Sequence, residues 1–225
     1  MTLSSPRRAP LADQVIAQLR AQITSGEWPV GSRIPTEAAL VEQLGVARNT
    51  VREAVRALAH NGLLDIRQGS GTYVLATSEL AGVMHRRFSD AEQSQVAELR
   101  SLLEASAASL AAGRRTDRDL GLMETALARR DEAWFGGDAE VFVQADAAFH
   151  QSVVAAAHNE VLADLYADLG ELLRAHLRRD VGPVLSPDKY VGHDRILAAI
   201  RERDAAAAAR ESAEVINTCN QPEHD

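Results

Sequence analysis

Apolar residues recur at helical spacing from the first turn of the ordered pattern. Leu11, Val15, Ile16, Leu19 and Ile23 predict a helix that ends near Ser25-Gly26. Pro29, Gly31 and Pro35 break the following stretch into a turn-rich connector. Thr36 suits the N-cap of a short second helix, with Glu37 in its first turn and Leu40, Val41 and Leu44 as its apolar face. Gly45 ends that helix, and a third begins two residues later. Val51, Ala54, Val55 and Leu58 give the third helix a dry stripe. Arg48, Asn49 and Arg52 give it a wet, cationic face. Asn61-Gly62 closes it. Leu63 to Tyr73 then reads as two short strands around Gln68-Gly69-Ser70-Gly71. The spacing is that of a helix-turn-helix followed by a hairpin wing.

After Val74 the texture changes. Six alanine-rich stretches show helical periodicity, at 92–112, 117–134, 138–156, 159–179, 187–202 and 204–219. Breaks fall at Gly113, Gly136-Gly137, His158-Asn159, Gly182-Pro183 and Arg203. No β-type alternation appears, so the second part is expected to be an all-α helical bundle. The fold expected is mainly α: a winged helix-turn-helix head over 1–76, a linker helix or connector over 77–91, a bundle over 92–219 and a tail over 220–225. With aromatics at 4%, Ala and Leu must fill the bundle core. The Ala205–Ala209 run has high helix propensity and reads as scaffold.

Charge sharpens this division. The chain of 225 residues carries −8 overall, yet its first 76 residues hold 8 arginines and 6 acidic residues, a net +2 that leaves −10 to the rest. A mildly basic head on an acidic body lets the head approach phosphates while the body repels them. No apolar run approaches the roughly 18 to 20 residues of a membrane span, and the first ten residues hold no apolar signal core. The single Cys219 cannot form an internal disulfide and reads as an inert thiol. A cytoplasmic protein with no membrane partner is expected.

The first 75 residues resemble the GntR family of winged helix-turn-helix repressors. The resemblance rests on Gly31, Pro35-Thr36-Glu37, Leu40, Leu44-Gly45-Val46, Arg48, Thr50-Val51-Arg52-Glu53-Ala54, Leu58, Gly62-Leu63-Leu64, Gly69, Gly71-Thr72 and Val74. It implies DNA contacts by Arg48, Asn49, Thr50 and Arg52, with Thr36 nearby and Gln68-Gly69 entering the minor groove. The chemistry agrees, since Arg can bridge guanine O6 and N7, Asn can read adenine, and Thr50 can hold a phosphate. Two positions depart from the family. Ala38 stands where some relatives carry a DNA-contacting Arg. Ala47 stands where many carry Ser or Thr, which removes an N-cap worth about 1 kcal/mol.

The second part resembles the FCD ligand-binding domain of the FadR-like branch, at Leu99-Arg100, Leu103-Glu104, Asp146, Phe149-His150, Asn159, His193, Ile196-Leu197 and Ala199-Ile200. Asp146 and His150 are four residues apart on one predicted helix and face the same way. His193 opens the apolar pattern Ile196, Leu197, Ile200, which aims it inward. In metal-binding FCD proteins these three positions resemble protein ligands, and the fourth is a His in the last helix. Here that place falls at or near Val215, and no His lies between His193 and His224. Three readings stay open. One divalent ion (Zn, Mn or Ni) binds through three protein ligands and a water or effector carboxylate; Asn217 or Glu214 joins them; or effector binds without metal. Arg100 either pairs with Glu104 at i+4 or binds an effector carboxylate. Asn159 either lines the effector site or caps the next helix. His60, His85, His158 and His176 match no pattern and are expected at the surface.

The resemblance implies a ligand-responsive transcription regulator, most often a repressor. It would bind a palindromic operator in double-stranded DNA as a homodimer and respond to a small carboxylate effector. The competing class is a metal-dependent hydrolytic domain localised by the winged helix, with Asp146, His150 and His193 holding the ion. No nucleophile motif supports it. A cofactor-dependent transaminase domain is excluded by length and by the chain's one lysine, Lys189.

Overall fold

The computed structural model describes residues 10–219; the expected tail over 220–225 and the Cys219 side chain lie outside what is described. The chain divides into two compact units, the first ending at Arg87 and the second beginning at Phe88. Both are built mainly from α-helices.

The first unit holds α1 (Leu11–Thr24), α2 (Glu37–Leu44), α3 (Arg48–His60), β1 (Leu64–Arg67), β2 (Gly71–Val74) and all but the last residue of α4 (Glu79–Phe88). The stripes read from sequence meet in one core, where Val15, Leu19, Ile23, Leu40, Val51, Val55 and Leu58 are buried together. Thr36 caps α2 by accepting from the Ala39 N–H at 3.3 Å. Gly45 stops α2 with φ +64°, a backbone that only glycine adopts freely. Ala47 starts α3 without a side-chain cap. β1 and β2 pair antiparallel, with Leu64 opposite Val74 and Arg67 opposite Gly71. The connector adds an unforeseen third edge: Ile34 N–H donates to Thr72 O at 3.0 Å and Val74 N–H to Ser32 O at 2.9 Å.

α4 belongs to this first unit. The Asn61 amide donates to Glu79 Oε1 at 3.1 Å, and Arg20 pairs with the same oxygen at 2.7 Å. Gly82 runs so close to Gly62 that a Cβ there would lie 2.3 Å from the Gly62 carbonyl oxygen. The division between units after Arg87 therefore falls inside the stretch expected as a connector.

The second unit runs α5 (Gln93–Arg114), α6 (Asp117–Gly136), α7 (Ala139–Ala156), α8 (Glu160–Asp168), α9 (Gly170–Val181), a 3-10 turn at Pro187–Lys189, α10 (Asp194–Arg201) and α11 (Ala205–Cys219). Ala108, Ala111 and Ala112 of α5 and Ala208 of α11 are fully buried beside Met123, Phe149, Val153, Ile196 and Ile200. Alanine there lets α5 and α11 approach closely. Helix starts follow local chemistry. Thr116 and Asp119 form a reciprocal capping box on α6, and Asp138 accepts from Glu140 and Val141 N–H on α7. Two expected helices differ. The stretch 159–179 is two helices that break at Leu169, just before Gly170, a poor helix former. The stretch 187–202 begins as a 3-10 turn at Pro187 and becomes α-helical only after His193, with Tyr190 extended and Gly192 between.

Candidate functional site

Two sites emerge, one in each unit. On the first, Arg48, Asn49 and Arg52 are exposed along α3 while its other face is fully buried. Arg52 Nη2 donates to Asn49 Oδ1 at 2.9 Å, and Arg48 stays 74% exposed with Glu37 3.7 Å away. Thr50 is half-buried in the first turn. Thr36 uses its hydroxyl oxygen as a cap, which leaves its O–H hydrogen for another acceptor. Gln68 and Gly69 are exposed at the hairpin tip, and Gly69 takes φ +77° there. Sequence reasoning passed over two further cations. Arg67 stacks 4.4 Å from the Tyr73 ring centroid, and the exposed Arg33 lies against Gly71 of the wing.

In the second unit, a cavity of about 500 Å³ is lined by Arg100, Arg130, Trp134, Asp146, His193 and Val215 among others. Asp146 and His150 project from one face of α7, both buried, as their four-residue spacing requires. His193 sits just before α10, also buried. His150 Nε2 and His193 Nε2 are 3.1 Å apart. Asp146 oxygens lie 3.7 Å from the first and 3.6 Å from the second.

Each of these groups is held from behind. Asp146 Oδ1 accepts from Arg130 Nε at 2.7 Å, and Oδ2 accepts from Arg100 Nη2 at 3.3 Å. His193 Nδ1 lies 2.9 Å from the Val191 carbonyl, which also accepts from Arg130 Nη2 at 3.0 Å. His150 Nδ1 lies 2.6 Å from Glu104 Oε2. Glu104 Oε1 accepts from Arg100 Nε at 2.7 Å and from the Tyr166 hydroxyl at 2.6 Å.

The electrostatics follow from burial among these charges. Burial alone would raise the Asp146 carboxyl, but His150, Arg130 and Arg100 hold it well below the usual carboxylate range. Burial would likewise raise Glu104, yet Arg100 and His150 bring it down to about 2. Burial, with Arg130 and His150 beside it, pushes His193 well below the ordinary histidine range. Its ring is therefore neutral at pH 7, the form that binds metals. Burial and Glu104 push the Tyr166 phenol well up.

The sequence pointed to Asp146, His150 and His193, and they converge. Arg100 pairs with Glu104, one of the two readings made of it, and also lines the cavity. Asn159 does not line the cavity: it caps α8 by accepting from Leu162 N–H at 3.2 Å. Glu214 and Asn217 do not line it either; both are exposed on α11, while Val215 and Thr218 face the cavity. His176 is not a surface residue but fully buried, with Nε2 2.7 Å from the Gln93 carbonyl and Nδ1 3.0 Å from Asp180. Arg130 was missed. Its signal was present, because Met123, Leu127, Arg130 and Trp134 form one helical stripe and all four are buried. Tyr166 was missed too, although it falls in the apolar stripe of Leu162, Leu169 and Leu173.

A winged helix-turn-helix head with a helical ligand domain defines a class of DNA-binding regulator. Residues 11–74 match the bacterial regulatory proteins of the gntR family, and residues 95–218 match the FCD domain. The galactonate operon transcriptional repressor of Escherichia coli K12 is 32% identical over 206 residues, covering 87% of this chain and 89% of that protein. The HTH-type transcriptional regulator LutR of Bacillus subtilis is 33% identical over 198 residues, covering 83% and 89%. Among solved structures, Streptococcus agalactiae GntR aligns with a TM-score of 0.52 at 30% identity, covering 92% of this chain and 98% of that one. The chain belongs to the GntR family and carries an FCD effector-binding domain. It is a ligand-responsive DNA-binding transcription regulator, not a hydrolase.

Proposed function

We propose that the protein is a cytoplasmic repressor that binds a palindromic operator as a homodimer. A small carboxylate, bound in the cavity beside one divalent metal ion, releases it. The observation that carries this reading is the 3.1 Å separation of His150 and His193 Nε2. The outer nitrogen of each ring already faces an acceptor. The two inner nitrogens share a hydrogen when one ring is protonated there, and when neither is they offer two lone pairs that one cation can bridge. Metal–imidazole bonds of about 2.0–2.1 Å put two nitrogens on one tetrahedral ion about 3.3 Å apart, close to the observed distance. The donor set, two imidazoles and a carboxylate, suits zinc, manganese or nickel. Val215 lines the same cavity, and the family resemblance puts the fourth ligand at or near it, which leaves that position to water or to the effector.

Charge favours an anionic effector. Asp146 and Glu104 balance Arg100 and Arg130, so a divalent ion would leave the buried cluster strongly positive. A carboxylate offsets that charge and meets the Arg100 edge of the cavity. The name of the galactonate operon repressor concerns a sugar acid, which fits this chemistry. Exposed Leu99 and Leu102 on α5 offer apolar surface for a subunit contact. For release, the effector must bind the DNA-incompetent arrangement more tightly than the competent one.

The test is a thermal-shift screen of small carboxylic acids with and without zinc, followed by operator gel shifts with each hit. The reading expects an acid that raises the melting temperature and weakens operator binding. It fails if no carboxylate does both.

A further inference from the structure

Two i,i+4 pairs face one another across α5 and α7. Arg100 and Glu104 project from α5, and Asp146 and His150 project from α7. Arg100 reaches Asp146, and Glu104 reaches His150. Among the described residues Glu104 Oε2 is buried without a well-aligned hydrogen bond, and His150 Nδ1 lies 2.6 Å from it. Glu104 is itself buried and held on its other oxygen by Arg100 and Tyr166.

We propose that Glu104 is the positioning residue of the ligand cluster: it fixes the proton of His150 on Nδ1 and so turns the Nε2 lone pair toward His193 and Asp146. This deepens the metal reading above and rests on it. A nitrogen and an oxygen 2.6 Å apart share a proton. Because the carboxylate has no hydrogen of its own, that proton comes from the ring, and the opposite nitrogen is left free to coordinate. His193 needs no such partner, because the Val191 carbonyl does the same work on its Nδ1. With Val215 at the fourth position, the ion depends on three side chains, and one misplaced proton removes a third of them.

The test uses Glu104→Gln in the full chain. The amide is nearly the same size. Its oxygen is drawn to the Arg100 and Tyr166 donors, which leaves its NH2 facing His150 Nδ1. That NH2 can only donate, so the ring proton moves to Nε2 and blocks coordination. Zinc titration of chelator-treated protein by calorimetry should show the dissociation constant raised by about 10- to 100-fold, the usual effect of losing such an outer partner. Glu104→Gln binding zinc like the wild type overturns the proposal while the metal reading stands. If the wild type takes up none of zinc, manganese and nickel, the metal reading falls and this one with it. Should Glu104→Gln fail to fold, nitrogen NMR of 15N-histidine-labelled wild type decides. A His150 proton on Nδ1 supports the role, and one on Nε2 overturns it.

Discussion

His150 and His193 stand with their Nε2 atoms 3.1 Å apart although they come from different elements, α7 and the turn before α10. Phe149 packs edge-on against both rings, with centroids 5.4 Å from each. Apolar walls, outer hydrogen-bond acceptors and the facing nitrogens thus fix one geometry before any ligand arrives. Preorganisation of this kind lowers the ordering cost of binding.

The gap at Val215 yields a gain-of-function prediction. Val215 is half-buried and lines the cavity with Asp146 and His193. Val215→His should therefore supply a fourth ligand and tighten zinc binding. A tenfold gain, about 1.4 kcal/mol, is the least expected from one added imidazole, read by competition with a chromogenic chelator. Weaker binding would mean that this backbone does not aim position 215 at the cluster.

Arg48→Ala and Arg52→Ala should each abolish specific operator binding while the melting temperature stays within a degree or two. Both side chains are exposed, so neither holds the fold together. Loss of a base-contacting arginine costs about 1–3 kcal/mol. Gel shifts with the natural operator and a scrambled one provide the check, and unchanged specificity in both variants would move the reading face elsewhere.

Legibility in the sequence followed the range of the interactions involved. α3 was plain, because its buried stripe and exposed arginines alternate at helical period within thirteen residues. Asp146 and His150 were plain for the same reason. The break at Leu169 was hidden, since leucine is a good helix former and a single glycine, Gly170, inside a periodic stretch does not by itself mark a boundary. His176 was hidden because the groups that bury and pair it, Gln93 and Asp180, include one 83 residues away. Arg130 was legible in phase but masked by the charges beside it, Arg129 and Asp131. The third edge of the wing was missed because Pro29, Gly31 and Pro35 read as turn rather than as pairing backbone.

Gly82→Ala should destabilise the first unit. In an ordinary helix the change gains up to about 1 kcal/mol. Here the new methyl would sit 2.3 Å from the Gly62 carbonyl oxygen, which is backbone and cannot swing away. Overpacking of this kind costs about 1–3 kcal/mol, so the clash outweighs the propensity. Thermal unfolding followed by circular dichroism should show an earlier first transition. An unchanged or higher midpoint would mean that α4 is free to lift off Gly62.

Ala47→Ser should do the opposite. Ala47 has the extended backbone of an N-cap, φ −63° and ψ 145°, but no side chain to accept from the first turn of α3. The site is exposed, so a hydroxyl fits without loss of packing. Stabilisation of about 0.5–2 kcal/mol is expected, visible as a higher denaturation midpoint in urea at constant slope. No rise would show that the Ser hydroxyl prefers water or DNA to the helix end.

Acid should expose the buried cluster through Glu104. Its carboxyl is held at about 2 in the folded protein against an ordinary value of 4.5. A depressed carboxyl contributes stability that is fully present above the unfolded value and is lost as pH falls toward the folded one. The window therefore runs from about pH 4.5 down to about 2. Asp146 lies lower still and keeps its charge through most of that range. In chelator-treated protein, the unfolding free energy of the second unit should fall with pH in this window. Glu104→Gln should begin less stable but lose stability with a slope shallower by about one proton, because its amide does not titrate. Equal slopes for the two proteins would place the acid-sensitive carboxylates elsewhere and leave Glu104 outside the charge balance that holds His150 and Arg100 in place.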